Sequence, residues 1–346
     1  MRILIIGGTR FIGPGVVRCL RDAGHDVCLF HRGQTKAPLP AGVQRILGNR
    51  RFLSEFAEAF KRFSPDIVLD MFALTERDAR SVMGTFKGIA RRVVAVSSTD
   101  VYRAYGRLTR AEPGPPDPVP LSEEAPLREK LYPYRGQIDA LADYDKILVE
   151  RAVMGGPDLP GTILRLPMVY GPRDNQHRLF DYLKRMDDQR PAILMAEGLA
   201  AWRWSRGYVD NVAAAIALAV AEERAAGRIY NVAEPEALTM ADWIRAVGQT
   251  AGWRGTVVVL PKDRLPSHLT WDIDTNQEIV TDTSRIRNEL GYTEAVTLER
   301  GLRETIAWER DHPPERIDPS QFDYAQEDKI LHEWRRRSEG PNGARK

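Results

Sequence analysis

Residues 3–13 read ILIIGGTRFIG, and the order of residue types in this stretch decides the fold. An apolar run, Ile3 to Ile6, stops at Gly7-Gly8; beyond Gly13 the apolar positions Val16, Val17 and Leu20 fall on one side of a helix. A strand without polar alternation is buried on both faces, as a central parallel strand is. The segment is therefore strand, tight turn, helix. Glycines at such a turn let the backbone approach a phosphate, and the free N–H groups of the first helical turn face it with the positive end of the helix dipole behind them. The stretch reads as a dinucleotide site built from Gly7, Thr9, Arg10, Phe11, Ile12 and Gly13. Arg10 stands where the middle glycine of a Gly-x-x-Gly-x-x-Gly spacing would fall. Its guanidinium can meet a phosphate through paired hydrogen bonds.

Outward from there, Val27 to Phe30 forms a second strand that closes at His31-Arg32-Gly33. A carboxylate at this end would hold the ribose 2′-hydroxyl of NAD, whereas a basic residue accommodates the 2′-phosphate of NADP. With His31 and Arg32 present, Arg10 nearby and no acid, NADP is the expected cofactor and NAD the second choice. A third strand, Val43 to Leu47, leads to Asn49 and Arg50, polar side chains placed to reach the adenine edge. Leu53 to Phe63 has helical spacing. Ile67 to Leu69 is a strand emptying into Asp70, Met71, Phe72 and Ala73; a helix from Ala79 to Phe86 precedes the strand Val93 to Val96. This rhythm implies an α/β fold with a Rossmann-like, doubly wound parallel sheet. Ligands bind at the carboxyl ends of such strands, which puts Met71, Phe72 and Ala73 beside the cofactor. Asp70 either caps the following turn or faces the cofactor.

The interval 107–137 carries seven prolines and reads as a long surface excursion, a lid or a partner-binding segment. Ile138 to Met154 is expected to resume as helix, and Thr162 to Leu166 as strand. Shorter elements follow, a smaller mixed α/β C-terminal domain for substrate. The expected division is a dinucleotide domain over 1–170 with 207–234 returning to it, a substrate domain over 171–206 and 235–311, and a surface tail over 312–346.

Lys plus Arg number 50 against 48 Asp plus Glu among 346 residues, so no bulk charge attracts DNA or an anionic membrane. Cys19 and Cys28 read as core thiols in a reducing compartment. The six histidines show no metal-ligand spacing, and no metal is expected. No apolar run approaches the roughly 18 residues a membrane span needs. A first strand at residue 2 leaves no room for a leader, so a cytoplasmic protein is expected.

The segments 7–13 (GGTRFIG), 97–102 (SSTDVY), Lys146 with Glu150, Arg165 with Val169-Tyr170-Gly171-Pro172, 208–213 (YVDNVA) and Tyr230-Asn231-Val232 fall in one order over residues 1 to 310. Together they resemble the extended short-chain dehydrogenase/reductase superfamily, in its branch of NAD(P)-dependent epimerases and dehydratases. The resemblance implies an oxidoreductase or epimerase acting by hydride transfer on a sugar-nucleotide-like or other small hydroxyl or carbonyl substrate. It implies that Ser98 binds the substrate oxygen, that Lys146 holds the nicotinamide ribose, and that Pro167 contacts the nicotinamide amide. It further suggests substrate contacts at Asp100, Tyr102 and Met168, with Arg203 and Arg206 placed for a diphosphate. A small-molecule substrate is the expected partner, and a homodimer is left open.

The family's tyrosine acid/base stands four residues before the lysine, because residues i and i+4 share a helix face. Here that position is Ala142. Tyr144 lies two residues away, roughly 200° around a helix. The open candidates are Tyr144 brought in by a distorted helix start, Tyr132 or Tyr134 from the proline-rich loop, Tyr102, Tyr105, or no acid at all. The last is a second reading: an NAD(P)-binding protein without redox turnover, serving as a sensor or binding RNA or protein. Lys146 could then pair with Glu150 along the helix.

Overall fold

The computed structural model describes residues 1–338. The chain runs β1 (Arg2–Ile6), α1 (Ile12–Asp22), β2 (Asp26–His31), β3 (Gln44–Leu47), α2 (Ala57–Phe63), β4 (Ile67–Asp70), α3 (Glu76–Phe86) and β5 (Arg92–Ser98). A short α4 (Arg103–Leu108) and a long strap precede α5 (Lys146–Met154), β6 (Gly161–Leu166) and β7 (Met168–Tyr170). Next come α6 (Phe180–Asp187), β8 (Ala192–Ala196), α7 (Glu197–Ala201), β9 (Arg206–Tyr208), α8 (Val209–Ala221) and β10 (Ile229–Asn231). The last elements are α9 (Met240–Ala251), β11 (Thr256–Leu260), α10 (Ser284–Leu290), α11 (Leu298–Asp311) and α12 (Tyr324–Ser338).

The central sheet has seven strands in the order β3-β2-β1-β4-β5-β6-β10, and every pairing in it is parallel. The unbroken apolar run of β1 is explained by its two covered faces. Ile3 and Ile5 belong to the core beneath Val16, Val17 and Leu20 of α1, whereas Leu4 and Ile6 belong to the opposite core with Phe60 and Phe86. The strand order reverses between β1 and β4, so the carboxyl end of β1 is the switch point where doubly wound sheets open a crevice. Gly7 starts there. Helices α1 and α8 pack closely because Gly15 faces Ala213: a Cβ added to Gly15 would stand 2.9 Å from the alanine methyl.

The smaller part carries two parallel pairs, β8 with β11 and β7 with β9. The proline-rich excursion lies fixed on the body. Leu121 N donates to Val280 O at 2.7 Å, Asp117 N to the Gln277 side chain at 2.6 Å, and Arg128 N to Val101 O at 2.8 Å. Among the described residues no helix is long and apolar enough to cross a membrane, and no cluster of His, Cys, Asp and Glu could hold a metal ion.

Two expectations are corrected. The helix expected from Ile138 begins only at Lys146, because Asp145 is extended and its Oδ1 accepts from Ile147 N at 2.9 Å, capping the helix. Residues 138–145 hold only a single 3₁₀ turn, Asp139–Leu141. The expected surface tail forms α12, anchored by a buried pair between Glu327 and Arg185 at 2.8 Å. Residues 339–346 of the expected tail lie outside the described residues.

Candidate active site

A cleft of about 1350 Å³ opens at the carboxyl ends of β1, β2 and β4. Its floor is the first turn. Gly7 and Gly8 have φ of 93° and 78°, a conformation that side chains with a Cβ rarely adopt. Helix α1 then starts with no side-chain cap and no acid in its first turn. Its leading N–H groups and dipole are thus left for an anion. Gly13 sits against Gly8 so closely that an added Cβ would lie 2.4 Å from the Gly8 carbonyl carbon. The stretch is a built phosphate cradle, and it fits a dinucleotide.

At the end of β2 the cleft is lined by Arg10, His31, Arg32 and Asn49. Arg10 Nε lies 3.3 Å from Thr35 Oγ1, and Arg32 is exposed. His31 Nδ1 accepts from Gly33 N at 3.1 Å, and its Nε2 is buried without a partner. Burial, aided by Arg45, holds the His31 pKa below its ordinary value. No carboxylate stands among residues 31–35. Phe52 and Phe72 line the cleft while remaining 53% and 57% exposed, each an open apolar face in the wall. The reading from sequence passed over Phe52, whose only signal was an aromatic residue in an otherwise polar turn. Leu74, Thr75 and Asn175 also line the cleft and were not anticipated.

Arg50 is corrected. It was expected to reach the adenine, but it grips Asp70 with two hydrogen bonds of 3.0 and 2.9 Å, donates to Phe72 O at 2.7 Å and lies 3.2 Å from Asp78. Asp70 in turn accepts from Phe72 N at 2.9 Å, so the acid caps the turn after β4.

At the other end of the cleft stands Tyr144. Its hydroxyl lies 2.8 Å from Asp100 Oδ2, and Tyr134 Oη lies 3.2 Å from the same oxygen. Tyr105 Oη follows at 3.1 Å from Tyr134 Oη. Ser98, half-buried at the tip of β5, accepts from Asp100 N at 3.2 Å and is a hydrogen-bond neighbour of Tyr144. Lys146 is buried; its Nζ donates to Ala73 O at 2.5 Å and Val96 O at 2.9 Å, and lies 5.9 Å from the Tyr144 ring centre. Burial lowers its pKa to about 8. Burial and Asp100 push the Tyr144 phenol well above its ordinary value, and burial raises Asp100. The two-residue spacing that fails on a helix works here because Asp145 has φ −159° and ψ 110°. In extended backbone, residues i and i+2 share a face. Tyr144 and Lys146 therefore reach one site from outside the helix and from its first turn.

Other expected contacts are corrected. Tyr102 is fully buried, donating to Asn231 Oδ1 at 2.6 Å and accepting from Arg165 at 3.1 Å, so it cannot touch substrate. Glu150 does not pair with Lys146. It accepts two bonds from Arg165 at 3.0 and 2.7 Å and one from Ser97 at 2.6 Å, locking α5 to β5 and β6. Arg206 is buried over Trp243 with its guanidinium carbon 4.4 Å from the ring centre, and lines a separate cavity of about 220 Å³. Arg203 is tied to Glu278 at 2.7 and 2.6 Å. Ala73 and Pro167 are buried, with the Ala73 carbonyl taken by Lys146; Met71 lines the cleft wall and Met168 is half-buried at the start of β7.

A glycine cradle at the switch point of a parallel sheet, with a phenol on the same cleft wall and a serine and a lysine packed beside that phenol, is the plan of a dinucleotide-binding α/β protein. The profile of the NAD-dependent epimerase/dehydratase family matches residues 3–233. The 2′-dehydrokanamycin reductase of Streptomyces kanamyceticus is 28% identical over 294 residues, 82% of this chain and 75% of that protein. A probable dTDP-glucose 4,6-dehydratase of Sinorhizobium fredii is 25% identical over 347 residues, 89% and 92% of the two chains. The Bordetella bronchiseptica enzyme WbmG, solved in complex with NAD, superposes with a TM-score of 0.67 at 21% identity, covering 90% of this chain and 94% of that one. The chain belongs to the NAD-dependent epimerase/dehydratase family.

Proposed function

We propose that this chain is an NADPH-preferring oxidoreductase that interconverts a ketone and a secondary alcohol on a small sugar-like ring, with Tyr144 as proton donor and acceptor. The observation that carries the reading is Tyr144 on the cleft wall, its hydroxyl 2.8 Å from Asp100 and next to Ser98, with Lys146 Nζ 5.9 Å from its ring centre. The turn from Gly7 to Gly13 would hold the pyrophosphate. Arg10, His31 and Arg32 would take the 2′-phosphate, Asn49 and Phe52 the adenine, and Met71, Phe72 and the third N–H of Lys146 the nicotinamide riboside. When bound, the nicotinamide supplies or takes up a hydride at the reacting carbon.

Tyr144 passes a proton to the carbonyl oxygen in the reducing direction and removes it in the other, while Ser98 Oγ donates a hydrogen bond to the same oxygen. The raised phenol pKa keeps that proton in place at neutral pH. Lys146, cationic below about pH 8, offsets negative charge that develops nearby. The reading without turnover rested on Ala142, and Tyr144 supports the redox reading over it. A substrate free of nucleotide is favoured by the likeness to 2′-dehydrokanamycin reductase and by the engagement of Arg203 and Arg206 elsewhere.

The test is oxidation of NADPH or NADH with a panel of free keto-sugars and with a dTDP-4-keto sugar. Faster turnover of a free keto-sugar with NADPH is expected. Turnover of the nucleotide sugar alone, or with NADH alone, would overturn the assignment.

A further inference from the structure

We propose that Asp100 is the proton partner of Tyr144: a buried carboxyl that reloads the phenol during turnover and is itself recharged through Tyr134 and Tyr105. The inference rests on Tyr144 being the acid of the proposed reaction. Lys146 makes no hydrogen bond to the phenol; its ammonium is directed at the carbonyls of Ala73 and Val96. The phenol's partner is Asp100 Oδ2.

The surroundings of Asp100 suit a neutral acid. The side chain is 5% exposed, and Oδ1 is buried with no partner. An ionised carboxylate with one oxygen unpartnered would carry a large desolvation cost, which a protonated carboxyl avoids. Two cations stand near it without bonding the carboxyl: Arg128 Nε donates to the Asp100 main-chain oxygen at 2.5 Å and its Nη2 lies 3.6 Å from Asp145, while Lys146 Nζ donates to carbonyls. From the turn after β5, Ser98 accepts from the Asp100 N–H and neighbours the Tyr144 hydroxyl, leaving the Asp100 carboxyl untouched. From the strap and α4, Tyr134 and Tyr105 continue the chain of hydroxyls, both half-buried, away from the cleft.

In the reducing direction the Tyr144 proton goes to the substrate oxygen while the Asp100 Oδ2 proton crosses the 2.8 Å contact to the phenol, and the electron pair at carbon comes from the reduced nicotinamide. The phenol ends neutral and the negative charge ends on Asp100, within the field of Arg128 and Lys146. A proton relayed by Tyr134 and Tyr105 then neutralises it. Asp100 acts through Tyr144 and is a positioning residue, not a catalytic one.

Difference infrared spectroscopy of the full chain at pH 7, without cofactor and with NADP⁺, tests this. Subtracting the Asp100→Asn spectrum from wild type should reveal a protonated-carboxyl C=O band, and Tyr144→Phe should keep that band but shift its frequency. Tyr144→Phe retains the ring packed 5.1 Å from Tyr134, so it serves even where Asp100→Asn folds poorly. Turnover of a keto-sugar by Asp100→Asn should fall about 10²-fold with its dependence on pH flattened near neutrality. Carboxylate bands alone in the difference spectrum would overturn the inference while leaving Tyr144 as the acid. A carboxyl band in a protein whose Tyr144→Phe variant keeps full turnover would overturn both.

Discussion

Gly13→Ala puts the smallest possible group into the tightest point of the proposed phosphate cradle. The added Cβ would lie 2.4 Å from the Gly8 carbonyl carbon and 2.5 Å from its Cα and oxygen, where ordinary contact begins at 3.4 Å. The gap to open is therefore about 1 Å, and the obstacle is backbone that cannot swing aside as a side chain does. Gly8 is held at φ 78° and Gly13 is buried at the start of α1, so the displacement falls on the cradle itself. A misplacement of about 1 Å costs on the order of 10²-fold in a well-fitted site. At 1.36 kcal/mol per tenfold that is about 2.7 kcal/mol. Overpacking a dense interior costs a further ~1–3 kcal/mol of folding stability. NADPH fluorescence titration and urea denaturation read the two effects separately. Gly84→Ala, in a helix where a Cβ meets nothing within 4 Å, is the control. It should gain up to ~1 kcal/mol of stability with binding unchanged. A Gly13→Ala protein that binds NADPH as tightly as wild type would refute the cradle.

Arg32→Asp should reverse cofactor preference, lowering the ratio of NADPH to NADH affinity by at least about 10-fold, since a cation beside the 2′-phosphate becomes an anion; an unchanged ratio in paired titrations would place the 2′-phosphate elsewhere. Lys146 releases its proton near pH 8 when folded against an ordinary 10.5, so the unfolded chain binds more protons between those values and stability from this residue rises with pH across that interval. Lys146→Met should flatten that rise in urea midpoints measured from pH 7 to 10, and an identical pH slope would count against the buried ammonium. Tyr102→Phe should lower stability by ~1–3 kcal/mol through the lost contacts to Asn231 and Arg165 while leaving the KM for a keto-sugar unchanged. A raised KM at unchanged stability would return Tyr102 to the substrate site.

The sheet and the cradle were legible because their signals are local. Ile3 to Ile6 followed by Gly7-Gly8 specifies strand and turn within a few residues, and Ser98 follows from its place at the end of β5. The position of Tyr144, the proposed acid, was hidden by a contest between two local signals. The apolar spacing from Ile138 onward suggested helix, whereas Asp145 caps α5 late and leaves Tyr144 on extended chain. Helical geometry applied to a residue outside the helix turned it to the wrong side. Arg50 and Tyr102 were misassigned for a different reason. Their partners Asp70 and Asn231 lie 20 and 129 residues away, so a charge at a strand end could not be told from a charge already spoken for. Arg206 looked like a phosphate grip by neighbourhood, yet it is buried over Trp243.

In the proposed reaction Tyr144 delivers the proton while a bound dinucleotide would deliver the hydride. The direct measurement is deuterium transfer from C4-deuterated NADPH to a keto-sugar, followed by mass spectrometry in wild type and Tyr144→Phe. Wild type should place the label on the product carbon, and the variant should transfer it about 10²–10⁴-fold more slowly with NADPH affinity retained. Label transferred by Tyr144→Phe at the wild-type rate would contradict that role of Tyr144.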